Sequence, residues 1–229
     1  MGIAKPPSFI SGYDHPGNWR KRLDFGTGTF GDMGCHIFDP VFKALELTAP
    51  LTVKSLGSAP NASNWANDAV VEFTYPETPQ SVGPTFPITW YDGDKRPAKE
   101  VTDPILGNIP LPDQGSLFIG TKGAMLLPHV SMPVLLPEAQ YKDYARPKVT
   151  DNNHWHQFVD AVRGEGQTSA HFGYSGPLTE SVLLGGVATY FPNEKLEWDA
   201  AGLKFKNKPE AAQHIRREYR KGWEVKGLS

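Results

Sequence analysis

Asp24-Phe-Gly-Thr-Gly-Thr-Phe-Gly-Asp32-Met-Gly-Cys-His36-Ile-Phe-Asp39-Pro40 carries three glycines within six residues, at 26, 28 and 31. Glycines this close together suggest the turn that cradles a dinucleotide. Such a turn must follow a strand, open a helix and sit inside a βαβ unit. Here the residues upstream are polar and turn-rich (Lys5-Pro-Pro, Ser11-Gly, His15-Pro-Gly-Asn), and no βαβ rhythm follows. A doubly wound fold is therefore excluded. Strand patterns come first and helical patterns later, which points to an α+β fold with a mainly antiparallel sheet.

Outward from this stretch, the apolar series Phe30, Met33, Ile37, Val41, Phe42, Leu45 predicts a helix over 29–47. Pro40 follows Asp39, a good N-cap pair, so a break or kink is expected near 39. Residues 51–58, 68–75 and 85–91 read as strands. Asp68-Ala-Val-Val-Glu-Phe-Thr-Tyr75 is the clearest, rich in β-branched and aromatic residues and alternating in its second half. Residues 92–114, with prolines at 97, 104, 110 and 112, read as an irregular loop. A hairpin follows from Gly115, turning at Thr121-Lys-Gly. Further on, Asp151 is expected to cap a helix through Trp155, Phe158, Val159 and Val162 that ends at Gly164. A second helix is expected from about Pro177 to Tyr190 with Leu178, Val182, Leu183 and Val187 on one face, and a short basic third over 209–221.

The 229 residues suffice for a sizeable core, and a net charge of −2 gives no reason to expect nucleic acid or an anionic membrane. Cys35 is the only cysteine, so no intrachain disulfide can form. No apolar run of membrane-spanning length, signal peptide or myristoylation pattern is present, and a cytoplasmic location is the expectation.

The spacing D-x3-H-x2-D is where chemistry enters. If the segment is helical, Asp32 and His36 lie one turn apart on one face, a carboxylate beside an imidazole and thus a proton-transfer pair. A plain alternative is that Asp32 caps a helix starting at Met33 and His36 is a polar core residue. Trp19 and Arg20 are candidates for a sugar pocket, the ring for stacking and the guanidinium for hydroxyl or carboxylate binding. An arm packed on the sheet explains them equally well. His154 and His156 are two apart and fall on different helix faces, which argues against a two-point metal clamp. Trp155 reads as core, Cys35 as buried, Glu180 as structural and the basic residues 206–221 as a solvated face. No CxxC, HExxH, P-loop or GxSxG is present.

Gly26-Thr-Gly-Thr-Phe-Gly-Asp32-Met-Gly34-Cys-His36-Ile-Phe-Asp39 resembles the G-G-x-L-x-D-x-G-x-H-x-x-D signature of the glucose–fructose oxidoreductase and inositol dehydrogenase (Gfo/Idh/MocA) family. His15-Pro-Gly-Asn-Trp-Arg20 is similar to the segment preceding it in a bacterial branch. Asn153 to Arg163, Tyr174 to Gly185, Leu196-Glu-Trp-Asp199 and Pro209 to Trp223 are similar to the later part of the family. The resemblance implies that Asp32 and His36 are the acid/base pair, with His36 facing the substrate hydroxyl and Asp32 orienting it. Asp39 matches a more often structural position near the substrate. It further implies an arm over 1–24, one C-terminal domain over 25–229, helices on one face of the sheet, and a homo-oligomer through the open face.

The resemblance covers the second half of such proteins. Their nucleotide-binding domain and its Glu-Lys-Pro lysine have no counterpart here, so this chain is expected to bind no cofactor and no metal by itself. The first expectation is therefore the substrate-binding and oligomerisation domain of an NAD(P)-dependent sugar or polyol oxidoreductase. Its nucleotide site would be lost or supplied by a separate Rossmann-domain protein. A second is a cofactor-free hydrolase of a lactone or sugar-derived ester, working through Asp32 and His36 alone or with a divalent metal. A carbohydrate-binding module is a third.

Overall fold

Alternating burial decides the main sheet. In the computed structural model, which describes residues 4–5, 8–149 and 152–227, Val70–Pro76 forms a strand (β2) in which Val71, Phe73 and Tyr75 are buried. Side chains alternate across a strand, so the same three set the inner face of the whole sheet. Strands β1 (Thr52–Ser55) and β3 (Thr85–Tyr91) flank β2, and β7 (Lys195–Asp199) and β8 (Lys204–Phe205) complete the order β3-β2-β1-β7-β8. Every pairing is antiparallel. The inner face adds Val53, Leu196, Trp198 and Phe205. The outer face is polar, with Lys54 opposite Glu72 and Thr52 opposite Glu197. The fold is α+β.

This sheet belongs to one of two compact units, formed by residues 1–96 and 180–229; the other comprises 97–179. In the first unit the inner face is covered by helix α2 (Gly28–Ala44), which follows the four-residue helix α1 (Pro16–Trp19). Phe30 stacks on Trp90 at 4.5 Å between ring centroids, and Phe38 lies 5.9 Å from Phe73. Of the break or kink expected near 39, the break does not occur: α2 continues through Pro40 to Ala44. A proline inside a helix costs about 3 kcal/mol. Val41 and Phe42, just beyond it, are both buried. Burying each contributes about 1.5–3 kcal/mol, which offsets the lost hydrogen bond and holds the helix together.

Helix α5 (Phe172–Ala188) begins five residues before the expected Pro177, which it carries in its interior. From Glu180 onward it lies in the first unit, where it packs on α2. A Cβ on Gly34 would stand 3.0 Å from both methyls of Val182, and one on Gly185 only 1.9 Å from the Phe30 ring. Small residues at both crossings let the helices approach closely. Leu183, expected on the packed face, is instead 45% exposed, and Leu184 is buried. Glu180 accepts the indole N–H of the buried Trp198, a structural role.

The second unit holds the three-stranded sheet β4 (Gly115–Gly120), β5 (Gly123–Pro128) and β6 (Val134–Leu136). The expected loop over 92–114 contains helix α3 (Lys99–Leu106), whose Leu106 joins Leu126 and Leu136 in a small core. Helix α4 (His154–Val162) is capped by Asn153, whose side chain accepts the Trp155 and His156 N–H groups at 3.0 and 3.1 Å. The expected cap Asp151 lies outside the described residues. Trp155 is not core: it is 71% exposed, in line with the exposed Phe158, Val159 and Val162. Helical periodicity identifies such a stripe without saying what it faces. The expected third helix reduces to a 3-10 turn over Pro209–His214, with Ala211 its sole buried residue.

Candidate functional site

Helix α2 carries two opposite faces. Phe30, Gly34, Phe38 and Val41 point into the unit, and at 100° per residue Asp32, His36 and Asp39 (i, i+4, i+7) form a stripe on the far side. The structure thus brings the three sequence candidates onto one helix face. His36 is exposed and Asp32 and Asp39 are half-buried. Asp32 is inside the helix, which starts at Gly28, and so is not the N-cap of a helix beginning at Met33; His36 is not a core residue. Cys35, expected to be buried, is exposed, with its thiol on the Asp32 carbonyl at 3.4 Å. Lys43 continues the stripe one turn beyond Asp39. The same spacing of four residues marks it in the sequence.

The arm before α2 brings Arg20 to this face. His15 caps α1 by accepting the Gly17 N–H. The chain is then tied to the 61–65 segment by Leu23 N–H to Ser63 carbonyl at 3.0 Å and Trp65 N–H to Lys21 carbonyl at 2.9 Å. The Arg20 carbonyl accepts the Gly28 N–H at 2.8 Å. A Cβ on Gly26 would stand 2.6 Å from the Arg20 Cα, so only glycine permits this crossing. Arg20 Nη1 then meets Asp32 Oδ2 at 2.6 Å. Trp19, next to it, is 40% exposed. All five candidates therefore belong to the first unit, with Trp19 and Arg20 on the arm and the rest on α2.

The glycine-rich stretch is packed by the protein itself. A Cβ on Gly28, at φ +77°, would stand 3.0 Å from the Trp65 side chain, and one on Gly31 would stand 1.9 Å from the Thr27 hydroxyl. The Trp65 indole N–H binds the Gly26 carbonyl at 2.9 Å. These backbone positions leave no cradle for a pyrophosphate, so the residues here do not fit a dinucleotide. Among the described residues, no group of three or more His, Cys, Asp or Glu is arranged to hold a metal ion. No helix of the described residues is long and apolar enough to cross a membrane.

Beside the first turn of α2 a crevice of about 10 Å³ is lined by Thr27, Phe30, Trp65, Asp92 and Gly186, room for about one water. Asp92 accepts the Ala69 N–H at 2.7 Å and the Trp90 indole N–H at 3.2 Å. Burial nevertheless raises its carboxyl above the ordinary 3.8, the two hydrogen bonds opposing the shift and Asp68 adding to it. The folded chain therefore holds this proton more tightly than the unfolded chain. The stability from Asp92 is present below pH 3.8 and falls as pH rises from there through the folded value. Urea titrations of the wild type and Asp92→Asn between pH 3 and 7 read this out. The difference between the two should shift against the wild type over that window and then level off, whereas a parallel pair of profiles would contradict it.

A wider cleft of about 390 Å³ lies on the second unit, against the β4–β5 turn, with Phe118, Lys122, Met125, Tyr141 and Tyr144 in its walls. None of the α2 candidates lines it. The chain matches no protein-family model and no curated protein sequence.

Proposed function

We propose that this chain is the substrate-binding part of a sugar or polyol oxidoreductase of the glucose–fructose oxidoreductase and inositol dehydrogenase kind, acting with a nucleotide-binding domain or protein that holds NAD(P). The carrying observation is the α2 stripe. His36 is exposed one turn from Asp32, with Trp19 and Arg20 on the adjoining arm. In this reading His36 takes the proton of a substrate hydroxyl, and Asp32 orients the imidazole and offsets its charge. Asp39, one turn further, completes the polar wall. The glycine packing described above supports keeping the cofactor off this chain's own glycine stretch.

The test is calorimetric titration of the chain with NADH, NADPH, glucose and myo-inositol. Sugar or polyol binding in the millimolar range, weakened tenfold or more by His36→Ala, is expected, with no micromolar nucleotide binding. Micromolar nucleotide binding would overturn the assignment of the cofactor to another domain. Sugar affinity indifferent to His36→Ala would remove the stripe from the site.

A second reading rests on the position of His36 between two carboxylates, a geometry that also serves to activate water for lactone hydrolysis. Gluconolactone turnover lost in both His36→Ala and Asp32→Ala would favour it. We further propose a homo-oligomer through the outer sheet face, where Lys54 and Glu72 supply opposite charges. A monomer mass by light scattering at micromolar concentration would refute that.

A further inference from the structure

Asp32 is engaged by Arg20 rather than left to His36 alone. The pair is close at 2.6 Å, yet the two side chains are 45% and 36% exposed. Ion pairs this exposed contribute little to stability, so a competing anion can part them. The Arg20 backbone is held independently of the pair. Its carbonyl is held by the Gly28 N–H and its Cα is wedged against Gly26. The backbone is thus anchored while the guanidinium, with five donors, faces solvent.

A neutral sugar hydroxyl is a poor competitor for a guanidinium already on a carboxylate. A ligand carboxylate matches the same planar fork through two parallel charge-assisted hydrogen bonds. A phosphate dianion carries more charge, but it would meet Asp32 and Asp39 on one stripe. A singly charged carboxylate meets less repulsion.

Building on the proposed sugar site, we propose that the Arg20–Asp32 ion pair is a ligand-operated latch that selects sugar acids. The ligand carboxylate takes over Arg20, next to the 40% exposed Trp19, and Asp32 is released from the ion pair.

Calorimetry of the full chain with glucuronate, glucose and glucose 6-phosphate tests this. Glucuronate should bind at least tenfold tighter than either of the others. Arg20→Gln should remove that preference, bringing the ratio of glucuronate to glucose affinity to within about threefold of one. Asp32→Asn, which discharges the competitor, should tighten glucuronate about threefold, the scale set by an exposed ion pair. Equal binding of glucuronate and glucose would overturn the latch and leave the sugar site standing. Preference for glucose 6-phosphate, or weaker glucuronate binding in Asp32→Asn, would also overturn the latch alone. No binding of any of the three at 10-millimolar scale would overturn both.

Discussion

Gly185→Val should lower stability by about 3 kcal/mol, while Gly186→Ala, one residue on, should raise it by up to about 1 kcal/mol. The two glycines share a helix and differ in what a side chain would meet. At 185 a Cβ would stand 1.9 Å from Phe30 Cε1. That ring cannot step aside, because it is 4% exposed and stacked on Trp90 with Phe73 at 6.0 Å. At 186 the nearest atom is the far edge of Trp65 at 3.6 Å, an ordinary contact, and alanine adds helix propensity and fills part of the small crevice. Urea midpoints of the two variants should move in opposite directions. A double variant of Gly185→Val with Phe30→Leu should regain part of the loss. Equal midpoints for Gly185→Val and the wild type would mean that α2 and α5 are not held at this separation.

Phe73→Ala carries the other large expected effect, a loss of about 3–5 kcal/mol. Phe73 is 1% exposed at the centre of β2 and meets the rings of Phe30, Phe38 and Tyr75 within about 6 Å. Removing it opens a cavity under two residues of the helix that carries Asp32 and His36. Domains are stable by about 5–15 kcal/mol in total, so the variant should unfold at far lower urea. Its ligand affinity, corrected for the folded fraction, should stay within about threefold of the wild type, since the site stripe faces away from the cavity. A stability loss below about 1 kcal/mol in equilibrium unfolding would contradict this account of the core.

Strands β1 and β2 are legible because buried residues alternate with more exposed ones along each, and the pattern of residues 68–75 records this directly. Strands β6 and β8 are three and two residues long, too short to show alternation. Helix α3 is hidden by Pro104, which reads as a breaker but is followed by Leu106, drawn into the small core. For the same reason Pro40 points to a break or kink in α2: local propensity registers the proline, and only tertiary burial registers what lies beyond it. At the site, the spacing of Asp32, His36 and Asp39 is a property of one helix and can be read from the letters. The Arg20–Asp32 contact depends on the fold of the intervening turn, which Gly26 permits through a backbone approach no spacing rule encodes.

The tryptophans have an optical consequence. The chain has six, and their surroundings differ: Trp198 is 4% exposed, whereas Trp155 is 71% and Trp223 52% exposed. Fluorescence should therefore come from spectrally distinct populations, with Trp155 and Trp223 emitting at longer wavelength and open to iodide or acrylamide quenching. Trp19 sits between these extremes, adjoining Arg20. With the α4 and tail indoles replaced by phenylalanine, Trp19 would be the one exposed indole among the four left, and the quenchable part of the emission would become an intrinsic reporter of events at the arm, without an attached dye.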